Sequence, residues 1–396
     1  MSGRRGLKMY SLERTRLSRP RRRAAVAAQV AVFAGVMMGF GALAIDLGRL
    51  YTARGELQRA ADSAALAGVS SYFSDAGLLQ DAPALGTMAR SRAGTLALRN
   101  PTLGAYTQLE SPDLVLGTLD VSDPHSVLDT SGGARLNAVQ IMVRRTEGSR
   151  NGPVDFLFAH IFGRAHGGVV ASATAVVDDR FAGFRTTEIN QILLPFTIHR
   201  DYYEDMLVSG GDQWSFEDDR LVTTSDGVPE IKLFPWKLSG HSSPEGAGNF
   251  GALNIGDDDS GLPPIAWQIL HGISAEQLER TLGTSTLIFY DAFGNPVAYE
   301  IPGTPGMKAA MEDELHQREG DVVAFFLHDA YWDSGSQCTY RIVDIRFGRV
   351  MHVDLTGSPK NKALLLQPVA YTGPGVIVSE HAPSSQGAAG YARLVR

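Results

Sequence analysis

The sequence predicts an α+β protein: an N-terminal transmembrane helix continues into a long amphipathic helix packed on short strands, and a mainly β domain follows. Three observations lead there: an uncharged apolar run at 24–45, an alanine-rich helical pattern at 46–68, and short strand-like segments separated by Gly, Pro and Asp after about residue 180. The predicted parts are a basic tail (1–23), a transmembrane helix (24–45), an N-terminal domain (46–178) and a mainly β C-terminal domain (179–396).

The apolar run has the length of a membrane span. It contains 22 residues without a charge, and Gln29 is its one strongly polar residue. A helix of about 20 apolar residues crosses the hydrocarbon core of a bilayer. Because six arginines precede the run between Arg14 and Arg23, the tail is expected in the cytoplasm and the chain after about residue 46 outside it. Gly35 and Gly39 have the spacing of a small-residue contact surface for another membrane helix, or reflect only the Ala/Gly richness of the segment.

A cleavable signal peptide is the alternative to a retained span. Ala42-Leu43-Ala44 has the small-residue form that signal peptidase accepts. Two features favour retention: the apolar run exceeds the usual apolar core of a signal peptide, and the residues after it continue the helical pattern.

Residues 46–68 predict a helix with one apolar stripe, at 100° per residue. The stripe consists of Leu47, Leu50, Leu57, Ala61 and Ala64. Arg49, Glu56 and Arg59 lie away from it, whereas Arg54 lies within it and Asp46 at its edge. The small side chains suit close packing against the protein's own domain or against a partner, and both remain open. Asp46, Arg49 and Arg54 are expected either to contact other proteins in an assembly or to anchor the helix at the membrane surface.

The rest of the chain predicts short elements. Alternating or clustered apolar residues predict strands at 139–143, 169–177, 287–290, 322–327, 341–347, 350–355 and 364–371. Helical patterns cover 88–100, 154–162, 274–282 and 307–317. Ser274 is the expected N-cap of the third of these helices, with Gln277 completing a capping box. Within 341–347, Val343, Ile345 and Phe347 are expected to share one face of a strand.

Composition and motifs argue against several classes of function. Beyond the tail the chain has 27 basic and 42 acidic residues, a net charge of −15 that disfavours nucleic-acid binding. Cys338 is the only cysteine, so neither an intramolecular disulfide nor a cysteine metal cluster can form. No zinc spacing, P-loop or nucleophile elbow is present. The segments at 129–133 and 257–261 each place acids near hydroxyls, but their spacing favours surface turns over metal sites. We expect no catalytic residue, cofactor, metal or small-molecule substrate.

The N-terminal residues resemble those of TadG-like proteins of the bacterial tight-adherence (Flp) pilus system. The resemblance rests on the basic stretch, the apolar run, Asp46-Leu-Gly-Arg49, and the string Leu-Gln-Arg-Ala-Ala-Asp-Ser-Ala-Ala-Leu-Ala-Gly at 57–68. It continues more weakly through segments at 113–120, 137–144, 153–163 and 169–177, and so covers about 20–178. Many TadG-like proteins also carry a von Willebrand A domain with a metal site, which this sequence does not clearly supply.

The resemblance implies a non-catalytic role in assembling or anchoring a pilus. It implies a single-pass protein of the bacterial inner membrane, with other pilus-assembly proteins or pseudopilins as partners. A pilin-like subunit is disfavoured, because prepilins need a glutamate early in the apolar run and this run has Gln29. Two alternatives stay open: a membrane-tethered binding or adhesin module, and an envelope hydrolase.

Overall fold

The computed structural model describes residues 21–123, 125–132, 135–187, 192–233, 250–256, 262–306, 309–333, 338–356 and 362–395. Its helices are α1 (Arg21–Val69), α2 (Asp75–Leu78), α3 (Ala82–Leu98), α4 (Arg200–Ser209), α5 (Leu262–His271), α6 (Ala275–Leu282) and α7 (Glu312–His316), with 3₁₀ turns at Ser70–Tyr72, Ser111–Asp113, Ala159–Phe162 and Ala309–Met311. Its strands in the first half are β1 (Leu114–Gly117), β2 (Ala138–Arg145), β3 (Val154–Asp155), β4 (His166–Gly167), β5 (Val169–Asp178), β6 (Phe181–Arg185) and β7 (Leu193–His199). The remaining strands are β8 (Ser215–Glu217), β9 (Arg220–Val222), β10 (Ile231–Leu233), β11 (Phe250–Leu253), β12 (Thr286–Ile288), β13 (Tyr299–Pro305), β14 (Val322–Asp333), β15 (Cys338–Asp354), β16 (Ala363–Pro368), β17 (Val376–Val378) and β18 (Tyr391–Val395). The predicted α+β class, with a long N-terminal helix before a mainly β region, is confirmed.

The chain forms two compact units. Unit 1 contains Met1–Gly55 and Arg145–Val169, and unit 2 contains Glu56–Arg144 and Val170–Arg396. The domain boundary expected at 178/179 falls inside unit 2, since the C-terminal strand β18 pairs with β5 of the preceding sequence. Arg393 on β18 donates to the carboxylate of Asp178 at 3.1 Å, and Arg180 binds the same carboxylate through two nitrogens at 2.7 and 2.8 Å.

Unit 1 combines the first part of α1 with the β3–β4 hairpin, in which Val154 pairs with Gly167 and Asp155 with His166. The helix predicted at 154–162 is wrong: the segment begins as a strand and ends in a 3₁₀ turn. An α-helix would use the amides of 157–159 for its own hydrogen bonds. In the structure these amides bind a side-chain carboxylate instead.

The main sheet of unit 2 has seven strands in the order β10-β16-β15-β13-β11-β7-β14. An additional pairing of β14 with β15 closes five of these strands, β15-β13-β11-β7-β14, into a ring. One core packs under α4, α5 and α7, with Tyr203, Ile269 and Leu315 among its buried side chains. A second core contains Phe326 and Phe347 and includes residues of β6, β12, β17 and α6.

A smaller sheet of unit 2 has the order β1-β2-β5-β18. The strands predicted at 139–143 and 169–177 are therefore confirmed as parts of β2 and β5. The remaining predicted strands are also found, but 341–347 and 350–355 belong to one strand, β15.

Ile345 and Phe347 are buried in the same core as expected, but the place of Val343 on their face is wrong. Leu327 pairs with Asp344 and His328 pairs with Ile342, so Val343 is an extra residue in the ladder. Such a bulge shifts the alternation of side chains by one position. Ile342 and Ile345 are accordingly both fully buried, while Val343 is only partly buried.

The helix predicted at 274–282 is confirmed as α6, with the expected capping box. The amide of Gln277 donates to Oγ of Ser274 at 3.2 Å, and the amide of Ser274 donates to Oε1 of Gln277 at 2.9 Å. The helix predicted at 88–100 begins earlier, because Asp81 caps α3 through the amide of Ala84 at 3.1 Å. Of the helix predicted at 307–317, residues 307–308 lie outside the described residues, and α7 forms its last part.

Candidate membrane-anchoring and helix-packing site

Asp46 directly follows the apolar run, and its carboxylate accepts three backbone hydrogen bonds within unit 1. The amide of Leu157 donates to Oδ1 at 2.7 Å, while the amides of Phe158 and Ala159 donate to Oδ2 at 3.0 and 2.6 Å. The side chain lies on the buried face of α1, and Asp46 is only 2% exposed. One acid on the helix therefore holds a segment that lies more than 100 residues later in the chain.

The surroundings of Asp46 favour its ionised form. Burial alone would raise the pKa of this carboxyl group. The three amide donors and the positive charge of Arg49 outweigh burial and hold the pKa below its usual value. At neutral pH the hydrogen bonds to Asp46 are thus charge-assisted, which is the stronger class.

A glycine lets the β3–β4 hairpin approach α1 closely in unit 1. A Cβ atom added to Gly167 would lie 3.3 Å from Cδ2 of Leu50 on the helix and 2.7 Å from Cζ of Phe156. The second distance is shorter than a normal carbon contact, so a larger residue would displace the Phe156 ring. The hairpin and the hydrogen bonds to Asp46 thus fasten the same segment to the helix at two neighbouring places.

In unit 2 the buried face of α1 consists mostly of small side chains. Leu57, Ala61 and Ala64 are fully buried. Gly68 lies on the same face, one helical turn after Ala64. A Cβ atom there would be 3.1 Å from Cγ1 of Val139 and 3.6 Å from Cβ of Ala93. The buried residues of the neighbouring helix α3 are likewise mostly small: Leu85, Ala89, Ala93 and Ala97. The end of this face therefore packs against α3 and β2 of its own unit.

Two polar side chains border this packed face. Oε2 of Glu56 accepts a hydrogen bond from the amide of Leu103 at 2.6 Å. Nε2 of Gln58 donates to the carbonyl of Ser172 at 3.0 Å and to Oδ1 of Asp62 at 2.8 Å. These bonds attach the helix to the loop after α3 and to β5.

The observed buried face is rotated from the predicted stripe. Leu47 is 46% exposed, so its expected place in the packed stripe is wrong. Arg54 is also exposed. The buried face runs through Asp46, Leu50 and Leu57, and Leu47 lies about 100° around the helix from Asp46. From the sequence, Asp46 was expected only at the edge of the stripe, because the sequence does not reveal that the amides of residues 157–159 donate to it.

Gly35 and Gly39 contact no packing surface in the described part of the chain. A Cβ atom at either glycine would meet nothing within 4 Å. Large apolar residues around them are exposed as well, including Phe33 and Met38. The contact of these glycines with another membrane helix remains a prediction.

Polar groups elsewhere in unit 2 bind the chain itself. A cavity of about 420 Å³ is lined by Asp120, Arg135, Asp179 and Arg180 among others. Asp179 accepts hydrogen bonds from Oγ of Ser384 at 2.7 Å and from the amide of Gly387 at 2.9 Å. Arg135 donates to the carbonyl of Gly77 at 3.0 Å. These contacts connect distant segments of the chain.

In the described ranges, no group of three or more His, Cys, Asp or Glu side chains could hold a metal ion. Asp129, one of the weighed metal ligands, accepts a hydrogen bond from the amide of Ser131 at 2.8 Å in a turn. The segment Asp257-Asp258-Asp259 lies outside the described residues. Cys338 carries a buried thiol, with Sγ 3.4 Å from the carbonyl oxygen of Gly303.

Comparison with known proteins locates one family in the chain. Residues 24–71 match the Tad family model, described as Flp pilus-assembly TadE/G-like. The predicted resemblance of the N-terminal region is thereby confirmed, and the match links the chain to Flp pilus assembly. No curated protein matches the chain. No solved structure matches it either.

Proposed function

We propose that this chain is a membrane-anchored, non-catalytic component of Flp pilus assembly or anchoring. It is held in the inner membrane by one span, with the basic tail in the cytoplasm and the chain after about residue 46 outside. The observation that carries the proposal is the match at residues 24–71, which covers the apolar run and the alanine-rich continuation of α1. Its partners are other pilus-assembly proteins or pseudopilins.

The properties of α1 support a retained span. The described residues contain one helix long and apolar enough to cross a membrane. Only 6% of its most apolar 18 residues are buried, so the segment does not resemble the core helix of a soluble domain. The helix also continues without a break past Ala44 to Val69. Cleavage after Ala44 would cut this helix two residues before Asp46 and separate the span from the residues that Asp46 holds.

The basic tail supports the orientation. Its nine Lys or Arg residues and one acid stand before the apolar run, whereas the residues just after the run include both signs of charge. Segments rich in Lys and Arg remain in the cytoplasm during insertion. A reporter that works only outside the cytoplasm, fused after Arg396, is therefore expected to be active, and a cytoplasmic reporter at the same position inactive.

The decisive experiment is genetic. Deleting the gene should abolish Flp pili on the cell surface, and the parent chain should restore them. A variant lacking 24–45 should accumulate without restoring pili, because it cannot reach the membrane. Normal pilus assembly in the deletion strain would refute the proposed function. A mature protein shortened at Ala44 would refute the retained span.

A further inference from the structure

Unit 1 contains an exposed apolar loop beside the outer end of the predicted span. In this loop, residues 156–163, Leu157 is 48%, Phe158 37%, Ile161 73% and Phe162 74% exposed. Soluble proteins rarely cluster exposed side chains of this kind, and such a cluster marks an interaction surface.

The hydrogen bonds to Asp46 set the level of this loop relative to the membrane. The 22 uncharged residues before Asp46 form a helix about 33 Å long at 1.5 Å per residue, close to the roughly 30 Å of the hydrocarbon core. Asp46 therefore lies at the boundary between hydrocarbon and headgroups. Because the amides of 157–159 are within hydrogen-bond distance of its carboxylate, the loop lies at the same level.

The backbone of the loop is suited to a medium that contains little water. Besides the three amides that bind Asp46, the amide of Phe156 donates to the carbonyl of Ala165 at 2.9 Å. The amides of Ile161, Gly163 and Arg164 donate to carbonyls within the loop at 3.0–3.1 Å. Backbone groups that enter a bilayer must be satisfied within the protein, because lipid tails cannot bond them.

We propose that residues 157–162 insert into the outer leaflet beside α1 and form a second membrane anchor, positioned by Asp46. The inference rests on the membrane span of the proposed function. The surface is continuous with that span, and exposed aromatic and aliphatic side chains at the headgroup level favour burial in lipid. Arg164 follows directly after the loop and is exposed, which suits an anionic headgroup.

The test measures the depth of single positions in the full-length protein. Phe162→Cys is labelled with an environment-sensitive fluorophore and reconstituted in phosphatidylcholine–phosphatidylglycerol vesicles that carry quenchers on the acyl chains near the headgroups. Cys338 stays in place, since it is 2% exposed and resists labelling; the labelled parent chain reports any background. The matched position is Phe33→Cys in the span, where Phe33 is 66% exposed.

We expect shallow quenchers to reduce the emission at position 162 at least about twofold, since interfacial segments bury their apolar side chains about 5–10 Å into the headgroup and acyl boundary. Position 33 should be quenched by deep quenchers. Quenching at 33 without quenching at 162 overturns the second anchor while the span stands. Absence of quenching at 33 refutes the span itself and the second anchor with it.

A second variant tests the role assigned to Asp46. In Asp46→Ala the amides of 157–159 lose their acceptor, so quenching at 162 should fall while quenching at 33 is unchanged. Hydrogen exchange of these amides should accelerate in parallel. Unchanged quenching at 162 in this variant would overturn the positioning by Asp46.

Discussion

Replacing Ala61 or Ala64 by leucine tests whether the alanine-rich half of α1 is packed within its own unit. Both alanines are fully buried in the isolated chain. If the pattern served only a partner, these side chains would be exposed until the partner arrived. We therefore expect each variant to lower the free energy of unfolding of the protein alone, before any effect on pilus assembly.

The sign and size of the change depend on the space around the helix. Leucine adds three carbon atoms, and their burial would contribute roughly 2–3 kcal/mol if an empty space accepted them. One turn further along the same face, however, a Cβ atom at Gly68 would already lie 3.1 Å from Val139 and 3.6 Å from Ala93. With neighbours this close, overpacking outweighs burial, and we expect each leucine to destabilise unit 2 by about 1–3 kcal/mol.

Urea unfolding of the full-length protein in detergent, followed by tryptophan fluorescence, measures this change. The tryptophans all belong to unit 2. Ala82→Leu, an exposed helical alanine at the start of α3, is the matched control and should change stability by less than about 0.5 kcal/mol. If Ala61→Leu and Ala64→Leu were as stable as the parent, the close packing of this face would be refuted.

Three further predictions concern other contacts. Burial would raise the pKa of Asp178, but its hydrogen bonds and ion pairs with Arg180 and Arg393 lower it overall. Because Asp178→Asn leaves both arginines without their buried carboxylate, this variant should lower the free energy of unfolding by about 3 kcal/mol above pH 5. The difference in free energy of unfolding between parent and variant should shrink as the pH falls below about 4, because Asp178 becomes protonated as the pH passes through its lowered folded-state pKa. Urea unfolding at several pH values measures this difference, and a difference that stays constant with pH would show that the pairing is unimportant. Gly167→Ala should displace the hairpin from α1 and accelerate hydrogen exchange in unit 1, and unchanged exchange would contradict the close approach. EDTA should leave the melting temperature unchanged; a decrease of many degrees that Ca²⁺ reverses would reveal a metal site.

Elements with a local signature were predictable from the sequence. The capping box of Ser274 and Gln277 determines where α6 begins, because both hydrogen bonds join residues only three apart. The long apolar helix is equally local, since the composition of the run at 24–45 is enough to predict it. The strands at 322–327 and 364–371 follow from dense apolar residues between turn signals.

Features that depend on distant residues were not predictable. Val343 fits a regular alternation in the sequence, and it leaves that pattern only because the ladder with β14 is bulged at His328. The pairing of β18 with β5 was unforeseeable for a similar reason: β18 lies more than 200 residues later in the chain and completes the sheet that contains β5. No change of composition along the sequence indicates either the bulge at Val343 or the pairing of β18 with β5.

Asp46 shows most clearly why part of the site was missed. Its partners are backbone amides, which every residue except proline carries, so the side chains near residue 157 give no sign of the interaction. The available signal was the acid itself, since a carboxylate at the edge of an apolar stripe requires donors, and α1 offers none because its own amides are committed to helical hydrogen bonds. Donors therefore had to come from another segment. Residues 157–159 can supply three because they lie before, or at the first position of, the 3₁₀ turn Ala159–Phe162, where an amide has no acceptor within the turn. The same geometry that satisfies Asp46 thus exposes the apolar side chains of the loop beside the end of the span, and this links a buried acid to the proposed second contact with lipid.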